Sequence, residues 1–148
     1  MATKEEQYSL VYKQIASLIA GENDAVSVMA NISAMLHDCF GFWWSGFYRV
    51  EGGELILGPF QGPVACMHIG YGKGVCGTAW KERRTVVVPD VEEFPGHIAC
   101  SSESRSEIVV PVFAGDEIIA VLDIDSRELA TFDDIDQRYL EEVVKYLV

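Results

Sequence analysis

Two largely apolar stretches, Ser106 to Phe113 and Glu117 to Asp125, are separated only by Ala114-Gly115-Asp116, and no other feature constrains the fold as tightly. Three residues can join antiparallel neighbours but cannot hold the helical crossover that a parallel pair demands. In the second stretch Ile118, Ala120, Leu122 and Ile124 alternate with positions that end in Asp123 and Asp125. Side chains alternate faces along a strand, so the two acids share one face and the apolar set takes the other. If Ile108, Val110 and Val112 lie on the same apolar face, Val110 pairs with Ala120 and Glu107 stands opposite Asp123. That register requires an odd-numbered loop about Gly115.

The remaining elements fit an α+β domain with a central antiparallel sheet and helices at both chain ends. Residues 4–20 and 24–39 read as helices. Asp24 is a plausible N-cap for the second, and Val28, Met29, Ile32, Met35 and Leu36 recur at helical spacing. Trp43 to Val50 favours a strand that turns at Glu51-Gly52-Gly53-Glu54 into Leu55-Ile56-Leu57. A strand near 64–69 enters the glycine-rich run Gly70 to Gly77, and a short helix follows to about Arg84. Thr85 to Val88 makes another strand, which Pro89 ends, and residues 90–104 form a long loop. Thr131-Phe132-Asp133-Asp134 reads as a capping box opening the last helix. The length of 148 residues suits one domain over the whole chain.

The net charge of −12 opposes contact with phosphate backbones, so nucleic acid is not expected as a ligand. No apolar run approaches the ~18 residues of a membrane helix, and Met1-Ala-Thr-Lys-Glu-Glu-Gln does not resemble a signal peptide. A cytoplasmic location follows as the expectation. In that reducing setting the four cysteines do not read as a structural framework, and a disulfide among them would be transient and catalytic.

Cys100 sits among Gly, Ser and charged residues, while Cys66 and Cys76 lie upstream in glycine-rich sequence. Placement in such loops points to thiol reactivity, in which a thiolate attacks an electrophile and a second thiol displaces the product. The carboxylates of Glu107, Asp123 and Asp125, if gathered in a partly apolar pocket, would raise one another's pKa and keep a proton available. Trp43, Trp44 and Tyr48 share a strand and serve as core or as a pocket wall for a methyl or thioether group.

Gly72-Lys73-Gly74-Val75-Cys76-Gly77 satisfies the GxGxxG pattern, yet the short following helix and the hairpins that come after it disfavour a dinucleotide fold. Two humbler readings are a tight turn and a set of main-chain N–H groups offered to a small ligand's carboxylate. Cys66, His68, Cys76, His97 and Cys100 lack the paired spacing of common zinc sites. His97 reads as a loop histidine, with an effect on Cys100 as the alternative.

Several of these runs together resemble the GAF domains. They are Gly72-x-Gly74-x-x-Gly77, Arg105 to Val112, and Val121-Leu122-Asp123-Ile124-Asp125-Ser126 followed by Phe132-x-x-Ile135-Asp136. A sharper resemblance is to the free methionine-(R)-sulfoxide reductases. It is carried by Trp43-Trp44-Ser45-Gly46-Phe47-Tyr48, by Gly58-Pro59-Phe60-Gln61-Gly62 with Cys66, by Gly74-Val75-Cys76-Gly77, and by His97-Ile98-Ala99-Cys100 with Ser104 to Ile108.

The resemblance implies a GAF fold with helices packed on one sheet face and a ligand pocket on the other, in a homodimer. It implies that Cys100 attacks the sulfoxide sulfur, that Cys66 resolves the product as a disulfide, and that Cys76 is an auxiliary or second resolving thiol. Glu107 and Asp125 protonate the departing oxygen, Asp123 helps hold the substrate, and Trp44 receives the methyl, with Tyr48 beside it among the substrate-binding residues. No bound cofactor is implied, thioredoxin being the reductant, and free methionine sulfoxide is the substrate. A non-catalytic GAF sensor for a small ligand is the alternative, and the lack of a second domain disfavours it.

Overall fold

The computed structural model describes residues 1–97 and 103–148. Two helices, α1 (Lys4–Ile19) and α2 (Ala25–Phe40), precede strands β1 (Trp44–Glu51), β2 (Glu54–Gln61) and β3 (His68–Gly70). Helix α3 (Gly74–Glu82) leads to β4 (Val86–Val88), a 3-10 turn at Val91–Glu93, then β5 (Ser106–Ala114), β6 (Glu117–Ser126) and α4 (Asp134–Val143). The strands form one sheet in the order β3-β2-β1-β6-β5-β4, and every neighbouring pair is antiparallel. No helix of the described residues is long and apolar enough to cross a membrane.

The sheet separates two layers. On one side Phe47, Ile108, Val110, Val112, Ala120, Leu122 and Ile124 pack with Tyr8, Val11 and Ile15 of α1, Ile32 and Leu36 of α2 and Leu140 of α4. On the other, Trp44, Tyr48, Val109 and Val121 meet Val75, Cys76 and Ala79 of α3. Alternation along β5 and β6 therefore divides the core as the sequence implies, with Asp123 and Asp125 facing α3.

The register differs from expectation. Val110 pairs with Leu122 and Glu107 with Asp125, two residues from the predicted alignment, while Asp123 stands opposite Val109. The cause lies at the turn. Ala114 pairs with Glu117 across the two residues Gly115 and Asp116, with Gly115 at φ +65°. A bulge then opposes Val112 to Ala120 but Phe113 to Ile118, leaving Ile119 as the extra residue. An even loop plus a one-residue bulge restores the parity of an odd loop, so the faces come out right although the partners do not.

Asp24 caps α2 as expected, its side chain accepting from the Ser27 N–H. The last helix starts later than predicted, with Asp133 as N-cap and Asp136 completing the box. Thr131 instead donates through Oγ1 to Ser126 Oγ at 2.6 Å. β3 is only three residues long, leaving 62–67 as an irregular segment.

Candidate active site

Four strands present one row of side chains across the pocket face. Trp44 of β1 pairs with Asp125 of β6, Asp125 with Glu107 of β5, and Glu107 with Val88 of β4. One step along, Gly46 pairs with Asp123. A Cβ on Gly46 would stand 2.3 Å from Phe60 Cβ and 2.9 Å from Trp44 Cη2, so only glycine lets the indole lie there. Trp44 stacks on Phe60 with centroids 5.1 Å apart, and its Nε1 donates to the Pro63 carbonyl at 3.0 Å.

Trp44, Glu107, Asp123 and Asp125 line a cavity of about 50 Å³, together with Tyr48, Ile69, Lys73, Gly74, Val75, Cys76, His97 and Ser104. That is more room than one water needs. Glu107 and Asp123 are each 6% exposed, and Cys76 is 4% exposed. Ser104 donates to Asp125 Oδ1 at 3.0 Å, and Asp123 Oδ1 is buried with no hydrogen-bond partner among the described residues.

Burial, and then the neighbouring Asp123 and Asp125 charges, push the Glu107 carboxyl well above the usual range. Asp125 is pushed up by burial and by Asp123, against the Ser104 hydrogen bond. Burial also raises Asp123, opposed by hydrogen bonding from Glu107, Cys76 and Asp125. Three carboxyls gathered in one largely buried pocket cannot all ionise, so the cluster holds protons near neutrality. Partial burial lowers the His97 pKa, against the pull of Asp123.

Trp44, Tyr48, Cys76, Glu107, Asp123 and Asp125 converge on the cavity. Cys66 is half-buried and disulfide-bonded, and its carbonyl accepts from Tyr48 Oη at 2.8 Å. Cys100 lies outside the described residues. His97 lines the pocket instead of standing apart on a surface loop. Cys39 is an exposed free thiol at the end of α2, away from this site. Phe60, Pro63 and Ser104 were given no role by sequence reasoning. Only tertiary structure brings the first two against Trp44 and the third against Asp125.

Among the described residues neither the dinucleotide nor the zinc arrangement forms. Gly72 and Gly74 have φ of +74° and +60°, and a Cβ on Gly77 would come within 2.5 Å of the Gly70 carbonyl oxygen, so these glycines build a tight entry to α3. His68 is exposed and pairs with Glu54 at 2.6 Å. Cys76, Glu107 and Asp123 do place three possible ligand atoms within 4.8 Å of one another. A metal there would have to displace protons that burial holds in place.

The antiparallel sheet with α1, α2 and α4 behind it and a pocket before it defines a GAF domain, and the GAF domain model matches residues 23–147. A free methionine-R-sulfoxide reductase of Escherichia coli is 43% identical over 145 residues, covering 97% of this chain and 88% of that protein. The structure of free methionine-R-sulfoxide reductase from Neisseria meningitidis in complex with its substrate superposes with a TM-score of 0.97 at 52% identity, covering 99% of this chain and 89% of that one. The reduced form of the Staphylococcus aureus fRMsr gives a TM-score of 0.91 at 55% identity, with coverages of 95% and 92%. The chain belongs to the GAF-domain free methionine-R-sulfoxide reductase family.

Proposed function

We propose that this single-domain protein reduces free L-methionine (R)-sulfoxide to L-methionine, with Cys100 as nucleophile and no bound cofactor. The observation that carries the reading is the carboxyl pair of buried Glu107 and half-buried Asp125, with Asp123 beside it and the Trp44 indole at its end. A sulfoxide oxygen leaves only when protonated, and a thiolate needs a neutral acid beside it. Glu107 and Asp125 share that proton. Trp44 receives the methyl group and Tyr48 supports it, since Tyr48 stacks on Trp44 at 5.9 Å.

The free amino acid supplies two further handles. Asp123 Oδ1, buried without a partner among the described residues, suits the ammonium. The first turn of α3 lines the pocket at Gly74 and Val75 and has no side-chain cap, so its N–H groups suit the carboxylate. A methionine sulfoxide within a peptide has neither charge.

The Cys100 thiolate attacks sulfur, the protonated oxygen is transferred, and methionine leaves a sulfenic acid on Cys100. The Cys66 thiol condenses with it to a disulfide and water departs. Thioredoxin then reduces that disulfide by exchange. Cys76, a buried free thiol lining the same pocket, has an auxiliary part. The protein works as a homodimer in the reducing cytoplasm.

The test is thioredoxin-dependent oxidation of NADPH, with thioredoxin reductase present, on addition of each free sulfoxide epimer. The R epimer should be consumed, the S epimer should not, and Cys100→Ser should be inactive. A small-ligand sensor would consume neither.

A further inference from the structure

We propose that Cys76 keeps its thiol proton throughout turnover and acts as a positioning residue for Asp123, holding that carboxylate toward the substrate's ammonium, and that it does not serve as a resolving cysteine. The inference deepens the reductase reading and rests on it. Cys76 belongs to the first turn of α3, is 4% exposed, and its sulfur lies within 4.8 Å of carboxylate oxygens of both Glu107 and Asp123.

A resolving cysteine must present a nucleophilic sulfur, which means approach to the thiolate. At Cys76 the surroundings oppose that charge: burial first, then the Asp123, Glu107 and Asp125 carboxylates, push the thiol well above its ordinary value. The sulfur is also held in place by its helix. The Gly77 N–H donates to the Lys73 carbonyl at 2.8 Å, and the Gly77 carbonyl accepts from the Gly72 N–H at 3.0 Å, so the turn carrying Cys76 is closed on both sides.

What a fixed, protonated thiol can still do is donate. Asp123 is the acceptor beside it, and donation to Asp123 favours the charged carboxylate. Asp123 Oδ1 is then left as the buried acceptor without a partner among the described residues, which is where a bound ammonium would be satisfied. Cys66 offers the contrast, since it sits in the irregular 62–67 segment and is only half-buried.

The test compares Cys76→Ser with Cys76→Ala and maps thiols in the wild-type protein. Serine keeps a donor but cannot form a disulfide. It should leave KM within about threefold and recycle normally with thioredoxin. Alanine should raise KM for the free sulfoxide about tenfold, the effect of losing one donor to a charged group, with kcat falling less than about threefold. Denaturing alkylation of wild-type protein after one turnover without reductant should recover Cys76 as a thiol. Equal loss of recycling in both variants, or Cys76 recovered in a disulfide, would overturn the proposal. Wild-type protein that forms no methionine, even with excess dithiol, would instead overturn the reductase reading beneath it.

Discussion

Glu107 and Asp125 illustrate how one side chain can serve chemistry at the expense of the fold. Glu107→Gln and Asp125→Asn should each slow the reductive step by roughly 10²- to 10⁴-fold, the range of lost general acid catalysis, and leave reduction of the enzyme's disulfide by thioredoxin unaffected. Rapid-quench measurement of methionine released in a single turnover separates the two. The same substitutions should stabilise the protein. Both carboxyls have folded pKa values above their unfolded ones, so the folded state binds protons more tightly. Stability is therefore fullest below the unfolded values near ~4 and falls as the pH rises toward the folded ones. Glu107→Gln should raise Tm at pH 7.5 and leave it nearly unchanged at pH 4, and calorimetry at the two pH values reads the difference. Alternation alone placed Asp123 and Asp125 on one face. The partnership of Glu107 with Asp125 was beyond its reach, because Val109, Phe113, Ile119 and Val121 are apolar too and the hydrophobic pattern does not mark where the bulge falls.

Among the elements, β1 and β2 meet too closely at one point to tolerate any side chain. Gly46→Ala would set a Cβ 2.3 Å from that of Phe60 and 2.9 Å from the indole. The variant should lose about 1–3 kcal/mol in urea denaturation and bind free methionine sulfoxide more weakly in calorimetric titration, since Trp44 must move. The glycine was visible in the sequence, but the closeness of Phe60 depends on the pairing of β2 against β1. At the opposite layer, α1 is fastened to α4 through one buried carboxylate. Asp136 accepts from Tyr8 Oη at 2.5 Å and from Lys4 Nζ at 2.7 Å, and also closes the cap of α4. Asp136→Asn should cost about 2–3 kcal/mol by urea denaturation while leaving KM unchanged. Lys4→Met should cost less than about 1 kcal/mol, because that ammonium is partly in water. No local pattern announces a contact between residues 128 or 132 positions apart. The helices themselves were legible from periodicity, whereas Thr131 was mistaken for the cap because both it and Asp133 are cap-forming types.

Across the whole molecule, a single sheet keeps the packed helical layer away from the polar pocket. The chain's turn chemistry and alternation were enough to read an antiparallel sheet with helices at both chain ends and two acids on one face, whereas the two-layer arrangement and the roles of Cys100 and Cys66 came from the resemblance to a known family. The separation also predicts how the protein answers combined substitution. Replacing Glu107, Asp123 and Asp125 together by Gln, Asn and Asn should leave far-UV circular dichroism native and abolish turnover, because none of the three belongs to the layer of Ile108, Val110, Leu122 and Ile124.

The two-residue turn at Gly115-Asp116 and the bulge at Ile119 set which residues of β5 and β6 face each other. A single insertion or deletion within that turn would invert the strand, exchanging the acids with the aliphatic side chains behind them. A scaffold of this kind tolerates change in the pocket residue by residue, but a one-residue change in the hairpin only where a gained or lost bulge restores the parity.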